Sequence, residues 1–224
     1  CCRSVMLLMT SSFRSACPAA MPAATAAGIP LRPLVLGKEN NARALRYVQM
    51  NIWGDYRNVQ RWYAVSALEA LAQAYAAQND EIYRNVIRRA GWAMGDESGN
   101  VPWAAPEMMT AVIKACPQQY REFVKIMITN GLDSPMCHLG VLWSVGHLGK
   151  EYVSDIEPYM KQIERFLEHK DGELRGTAVW ALKQLQYEPA FDKINSMADD
   201  AAAVWIYDTD GLQCTTIGQI AKKG

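Results

Sequence analysis

Residues 171–185 read D-G-E-L-R-G-T-A-V-W-A-L-K-Q-L. Small and apolar side chains recur in this stretch every three or four positions, which is the spacing of one face of an α-helix. The residues on that face are Leu174, Ala178, Ala181, Leu182 and Leu185. The stretch therefore predicts a helix with one buried face, and Asp171-Gly172 marks its start.

The same pattern recurs earlier in the chain. One copy places Cys137, Val141, Ser144, Val145 and Leu148 on the inward face, with Trp143 in the position of Trp180. Another copy places Ala64, Ala67, Leu68 and Leu71 there. The position of Arg175 is taken by His138 in one copy and by Arg61 in the other. The helix after Pro106 is a fourth copy, whose register is ambiguous. A helix pair repeated every few tens of residues is typical of an α-solenoid.

The sequence thus predicts an all-α fold, a superhelix of helix pairs with a small C-terminal β-hairpin. We expect residues 1–37 to be a flexible or atypical extension, residues 38–200 to form the repeat array, and residues 201–224 to form the hairpin and a capping helix. Strand signals occur only at residues 204–207 and 212–215, on either side of Asp210-Gly211. One helix is expected to stop at Asn130-Gly131, because glycine commonly ends helices.

The repeat resembles a known family. The string D-x-x-[LV]-R-x-x-A-x-W-A-L is similar to HEAT-like repeats, especially the short form found in phycobilin lyases. Residues 91–107, G-W-A-M-G-D-E-S-G-N-V-P-W-A-A-P-E, resemble a group of bacterial HEAT-repeat proteins of unassigned activity. The resemblance covers about residues 55–220 and implies an array with a concave groove. Proteins of this kind serve as scaffolds, bilin lyases, metal-dependent hydroxylases and DNA-repair glycosylases.

Composition and charge narrow the class of partner. The 224 residues contain 23 Lys+Arg and 23 Asp+Glu, so the formal charge is zero. Nucleic-acid binding is disfavoured, because proteins that bind phosphate backbones usually carry a basic surplus. No apolar run has the roughly 18 residues needed to span a bilayer. The expected partner is therefore a protein or a small ligand, without nucleic acid or membrane.

The six cysteines and three histidines lack the spacing of a zinc site. Cys116, Cys137 and Cys214 lie among apolar neighbours, and we interpret them as reduced core thiols of a cytoplasmic protein. His138 and His147 lie on opposite sides of one predicted helix, so they cannot share a metal. Neither a metal nor a cofactor is predicted.

The longest interruption of the helical pattern lies between residues 88 and 109. Its candidate binding residues are Trp92, Asp96, Glu97, Asn100 and Trp103. In one interpretation the connection caps a helix and both tryptophans are buried. In the other it is a binding site in which Trp103 is a stacking platform. Acid–base catalysis by Asp96 and Glu97 is less favoured, because adjacent residues rarely converge on one substrate atom.

Further candidate binding residues lie on the helices themselves. They are Glu107, His138, Trp143, Arg175 and Trp180. The two tryptophans form either an aromatic ladder along the groove or the packing between repeats, and packing is the favoured interpretation. His138 is expected to do in its repeat what Arg175 does in the next.

Together these features favour a non-enzymatic HEAT-repeat scaffold that binds a protein partner or a small ligand through its concave groove. The alternative is an enzyme, or an accessory to one, that resembles the bilin lyases. A further alternative is a DNA-alkylation-repair-like glycosylase, which Arg61-Trp62 and Trp103 suggest and the missing cationic surplus opposes. The hydroxylases need repeated His-Glu pairs, and the sequence contains no H-E dipeptide.

Overall fold

The helical periodicity of the sequence is realised over most of the chain. The computed structural model describes residues 38–95 and 104–223. These residues are mostly helical, with a two-stranded antiparallel hairpin near the C-terminus. The helices are α1 (Lys38–Asn51), α2 (Val59–Tyr75), α3 (Asp80–Met94), α4 (Ala105–Ala115), α5 (Pro117–Tyr120), α6 (Val124–Asp133), α7 (His138–Leu148), α8 (Val153–Ile156), α9 (Met160–Arg165), α10 (Gly172–Gln184), α11 (Phe191–Ser196) and α12 (Ile217–Lys222). The strands are β1 (Ala203–Asp208) and β2 (Gly211–Thr216). The expected extension, residues 1–37, lies outside the described residues. No described helix is both long and apolar enough to cross a bilayer.

The helices pack in pairs. α1 packs on α2, α3 on α4, α6 on α7, and α9 on α10. The second helices also contact one another in chain order, α2 with α4, α4 with α7, and α7 with α10. α4 and α7 run parallel, because Glu107 faces Gly140 at their beginnings and Lys114 contacts His147 at their ends.

The inward face predicted from the repeat lies in the core. Ala178, Ala181 and Leu182 of α10 are fully buried, as are Val141 and Val145 of α7. The predicted inward residues of these two helices are therefore buried, as are most of the other residues in the middle of both helices. Some predicted inward residues are only half-buried. They are Ala67, Leu71 and Leu174.

Glycines mark the closest helix contacts. α6 was expected to stop at Asn130-Gly131, but it continues through Gly131 to Asp133. A Cβ at Gly131 would lie 2.1 Å from Cγ2 of Val141, so this glycine provides room for α7 and does not end the helix. Gly146 does the same for α10, since a Cβ there would lie 2.3 Å from Cζ3 of Trp180.

The predicted hairpin is confirmed. Val204 pairs with Thr215 and Asp208 with Gly211. Thr216 caps the last helix: its hydroxyl accepts a hydrogen bond from Gln219 N at 3.2 Å, and Gln219 Oε1 accepts one from Thr216 N at 3.1 Å. This capping box satisfies two backbone N–H groups at the start of α12.

The hairpin lies between the first and the last of the long second helices. One face meets α10, where a Cβ at Gly176 would lie 2.9 Å from Cβ of Val204. The opposite face meets α2, where Tyr207 stacks on Trp62 with ring centroids 4.9 Å apart. The side of the second helices that was expected to form an open groove therefore holds the chain's own hairpin.

The cysteines correct one expectation. No disulfide joins Cys116, Cys137 or Cys214. Cys137 is buried, and burial raises the pKa of its thiol to about 11. Cys214 is exposed rather than a core residue, because it lies in the exposed middle of β2.

We expect Gly146→Ala to destabilise the fold. The added methyl group would meet the rigid indole of Trp180 and approach Cα of Ala181 to 3.0 Å, so the two helices must move apart. Overpacking of this kind costs about 1–3 kcal/mol. The urea midpoint of unfolding measures the loss. Gly95→Ala is the control, because the one atom of the described residues near a Cβ there is Trp92 O at 3.7 Å, an ordinary contact. Equal midpoints for the two variants would contradict the close helix contact.

Candidate functional site

Three polar residues at one position of the repeat make the same kind of hydrogen bond. Each binds a backbone carbonyl of the segment that leads into its helix. The pairs are Arg61 Nη1 and Gly54 O at 3.2 Å, His138 Nε2 and Leu132 O at 2.9 Å, and Arg175 Nη1 and His169 O at 2.6 Å. His138 Nε2 carries a proton in this contact, because a carbonyl oxygen only accepts. His138 does in its repeat what Arg175 does in the next, so both residues are engaged within the fold.

Arg61 and Glu107 form a buried ion pair. Arg61 Nη2 donates to Glu107 Oε1, and the two side chains are 4% and 0% exposed. The Arg61 guanidinium also lies over the rings of Tyr56 and Trp62, at 5.5 and 5.8 Å from their centroids. Burial, followed by the Glu107 charge, raises the pKa of Tyr56 well above its ordinary value. Glu107 was a candidate binding residue, but its position makes it part of the core.

Gly140 makes room for the second oxygen of the Glu107 carboxylate. A Cβ at Gly140 would lie 2.5 Å from Oε2, closer than any real side chain approaches. Among the described residues Oε2 has no hydrogen-bond partner and is buried. The carboxylate therefore depends on Arg61 for the compensation that a buried charge requires.

The tryptophans of the repeat fill the interior. Trp143 is fully buried, and its indole N–H donates to Tyr207 O at 2.7 Å. Its ring centroid lies 4.7 Å from that of Trp62. Trp180 is 7% exposed and packs on Gly146. Both residues therefore pack neighbouring elements together, which was the favoured of the two interpretations, and they do not form an open aromatic ladder.

A half-buried polar cluster joins the C-terminal ends of α4 and α7 to the middle of α2. His147 Nε2 lies 3.0 Å from Glu69 Oε2, and Lys114 Nζ donates to His147 O at 2.7 Å. The imidazole stacks on Trp143 with centroids 4.5 Å apart. Lys114 thus places a cation at the C-terminus of α7, where the helix dipole favours one. The described residues contain no group of three or more His, Cys, Asp and Glu suited to a metal ion.

This cluster was not predicted from the sequence. Glu69, Lys114 and His147 are far apart in the chain and belong to no motif. The sequence did contain one indication of it: Lys114 and His147 each lie in the last turn of a helix, so their side chains can meet if the two helices run parallel. Their hydrogen bonds hold helix ends together, so the cluster is structural in this conformation.

Arg175 is paired with Asp200, another residue that the sequence analysis did not single out. Arg175 Nε donates to Asp200 Oδ2 at 2.9 Å, and Ala202 N donates to Oδ1 at 3.0 Å. The hydrogen bond from Arg175 holds the pKa of the Asp200 carboxyl below its ordinary value of 3.8. The pair fastens the segment before β1 to α10.

An open cleft lies at the C-terminal end of the fold. Its volume is about 1030 Å³. α10, α11, α12 and the hairpin line it, with Trp180, Phe191, Ile194, Ile206 and Gln213 among its residues. Lys183 also lines it, but its Nζ donates to Ile220 O and Ala221 O at 3.1 and 2.8 Å. Burial lowers the pKa of this amine. The lysine therefore caps α12 and is not free to bind a ligand in this conformation.

Trp92 is the candidate residue that the structure leaves on the surface. It lies on α3 with 78% of its area exposed. Ile126 of α6, 45% exposed, packs against the preceding residue of α3, since its Cγ2 is 3.8 Å from the position of a Cβ on Gly91. The other candidates of the central connection lie outside the described residues. They are Asp96, Glu97, Asn100 and Trp103.

Removing the carboxylate of the buried ion pair should be strongly destabilising. Glu107→Ala leaves the Arg61 cation buried without a counter-charge, which costs about 3–5 kcal/mol. Arg61→Met with Glu107→Met should recover most of that loss, because no charge then remains in the core. Denaturant unfolding followed by circular dichroism measures both. If the double variant is no more stable than Glu107→Ala, the unpaired charge of Arg61 is not the cause of the loss.

Asp200 should make stability depend on pH. Its pKa is lowered in the folded state, so the pairing with Arg175 stabilises the fold above the ordinary value of 3.8 and is lost as pH falls through the lower, folded-state pKa. Asp200→Asn should therefore lower the urea midpoint near about pH 6 and change it much less near about pH 2. Asp192→Asn, at an exposed residue of α11, controls for the loss of one charge. Equal losses at both pH values would rule out the ion pair as the cause.

Comparison with family models, with curated proteins and with solved structures finds no match to this chain. The resemblance to HEAT-like repeats therefore rests on the residues of the repeat and on residues 91–107. It stays a prediction, and the candidate site has to be judged from its own geometry.

Proposed function

We propose that the chain is a non-enzymatic, HEAT-like helical-repeat scaffold that binds a protein partner. Two features of the fold support a repeat array. The second helices contact one another in chain order, and Arg61, His138 and Arg175 make equivalent hydrogen bonds at equivalent positions. Arrays of stacked helix pairs present extended surfaces to partners.

The exposed indole of Trp92 is the observation that carries the proposal. Large aromatic side chains are usually buried, and tryptophan is enriched among the residues that dominate protein–protein binding energy. Trp92 is 78% exposed, and Ile126, which packs against Gly91, is a second exposed apolar side chain on the neighbouring helix. We call the surface formed by Trp92 and Ile126 the α3–α6 surface. Because α3 and α6 are each the first helix of a pair, the position of this surface favours partner binding by the first helices.

The contacts inside the array also favour the α3–α6 surface as the binding site. Glu107, His138 and Arg175 are polar residues that the repeat offers to a ligand, and all three bind other parts of the chain. Tyr207 of the hairpin covers Trp62 on the side of the second helices. A partner that used the concave side would have to displace the hairpin, whereas the α3–α6 surface is accessible as it stands.

Capture experiments test the proposal. Immobilised protein should retain a partner from a lysate of the source organism, and Trp92→Ala should weaken that retention by roughly tenfold or more, the scale of losing an interface hot spot. Quantitative mass spectrometry measures the retained protein. Trp53→Ala is the matched control, because Trp53 is 55% exposed and lies between α1 and α2.

The comparison requires that both variants remain folded, which circular dichroism verifies. If Trp92→Ala and Trp53→Ala retain the same proteins in the same amounts as the wild type, the α3–α6 surface does not bind the partner. The proposed function would then lose the observation on which it rests.

A further inference from the structure

The cleft at the C-terminal end of the fold has an apolar floor. Trp180, Ile194, Ile206 and Ile220 line the cleft and are each more than nine-tenths buried, so they form its floor. Its volume of about 1030 Å³ lies at the upper end of the range for small-molecule sites, which is about 300–1,000 Å³. None of its lining residues belongs to α3 or α6, so the cleft is separate from the α3–α6 surface.

The rim of the cleft is rich in uncharged amide groups. Gln184 and Gln186 come from the end of α10 and the turn after it, Asn195 from α11, and Gln213 from β2. All four residues are exposed, and their side chains make no hydrogen bond to a described residue. Each primary amide offers two donors and an acceptor side by side. The rim therefore presents neutral donors and acceptors from three elements of the fold.

Charges of both signs also line the cleft. They are Lys183, Lys222, Lys223, Glu188 and Asp208. The amine of Lys183 already donates to carbonyls of α12, which leaves two cations and two carboxylates. The charges of the cleft therefore favour neither an anion nor a cation, and a neutral ligand suits it.

Gln186 has a backbone conformation that favours glycine. Its φ is 54°, and no other non-glycine residue that the structure describes has a positive φ. The residue ends α10, where its N–H donates to Lys183 O and the N–H of Tyr187 donates to Leu182 O, both at 3.0 Å. Glycine usually occupies this position, because a side chain is disfavoured there. Strained residues of this kind occur at binding sites, where the side chain has a use that offsets the strain.

The floor contains a polar atom without a partner. The indole N–H of Trp180 is buried, and no described atom accepts a hydrogen bond from it. Cε3 and Cζ3 of the same ring face Gly146 of α7, so Nε1 lies on the opposite edge of the indole. Buried indole N–H groups normally have an acceptor. The floor therefore suits a ligand that carries oxygen acceptors.

We infer that the cleft binds a neutral saccharide. A sugar ring has an apolar C–H face and hydroxyl groups around its edge, and each hydroxyl both donates and accepts. The C–H face lies on the floor of the cleft, and the hydroxyls pair with the amides of Gln184, Gln186, Asn195 and Gln213. A peptide presents its polar groups along fewer edges and would leave part of this rim unpaired. The inference goes beyond the proposed function and does not depend on it.

The test uses the full chain and three neutral trisaccharides, which are maltotriose, cellotriose and tri-N-acetylchitotriose. Trigalacturonic acid is their anionic counterpart. Binding is followed by the assigned NMR signals of the indole N–H groups. The Trp180 signal should shift with at least one neutral trisaccharide, because this residue lines the cleft. The Trp92 signal should stay in place, because Trp92 lies on α3 outside the cleft.

Two substitutions test the rim. Gln213→Ala should weaken binding by roughly fivefold, the effect of losing about one hydrogen bond. Gln118→Ala, at an exposed amide of α5 outside the cleft, is the matched control and should leave binding unchanged. Gln186→Gly should also weaken binding by roughly fivefold. It should nevertheless raise the urea midpoint of unfolding, because glycine adopts a positive φ without strain. A residue with only a structural role would not separate the two effects in this way.

The opposite outcomes would overturn the inference. They are an unshifted Trp180 signal with all three neutral trisaccharides, an equal shift with trigalacturonic acid, and equal affinities of Gln213→Ala and Gln118→Ala. A Gln186→Gly variant that binds like the wild type, or that has a lower midpoint, would also overturn it. Binding of the neutral tripeptide Ala-Gln-Ala without binding of any trisaccharide would assign the cleft to peptides instead. Partner capture that depends on Trp92 is measured separately, so the proposed function can stand or fall by itself.

Discussion

The ion pair between Arg61 and Glu107 is the constraint on which the packing of the second helices depends. A buried charge is stabilised only when its counter-charge lies within hydrogen-bonding distance. The ion pair therefore fixes how α2 and α4 pack against each other. Gly140 extends the constraint to α7, because only a residue without a side chain fits beside the carboxylate. Arg61 also holds the backbone at Gly54. The buried cation of Arg61 thus positions α2, α4 and α7 relative to one another, together with the turn before α2.

The local part of this fold could be predicted from the sequence, since helical periodicity is a property of neighbouring residues. The buried positions around Ala178 and Val141 and the hairpin followed from spacing alone. Contacts between distant residues did not. Arg61 and Glu107 are 46 residues apart, and Ser66, which hydrogen-bonds Tyr207, is 141 residues from it. Spacing also predicted a helix end at Gly131, where the structure uses the glycine for a close approach by α7.

The candidate site residues divide in the same way, into those whose role follows from the sequence pattern and those whose role depends on packing. Residues chosen for their chemistry, such as Glu107, Arg175 and Trp143, are used inside the fold, because buried polar groups and large rings are what hold repeated helices in register. Trp92 was chosen because it flanks the central connection, and its exposure is a property that only the packing of α3 and α6 decides. The contact of Ile126 with α3 at Gly91 could not have been foreseen either, since it depends on how two helices distant in sequence pack.

The position of the hairpin also has a consequence for synthesis on the ribosome. β1 follows α11 in the chain, yet Tyr207 completes the packing around Trp62, a residue made much earlier. The aromatic face of the first helix pair therefore stays uncovered while the intervening helices are translated, and it is available to chaperones during that time. Vectorial folding from the N-terminus cannot finish the first pair before the hairpin has left the exit tunnel, so the packed helices mature together rather than one pair at a time.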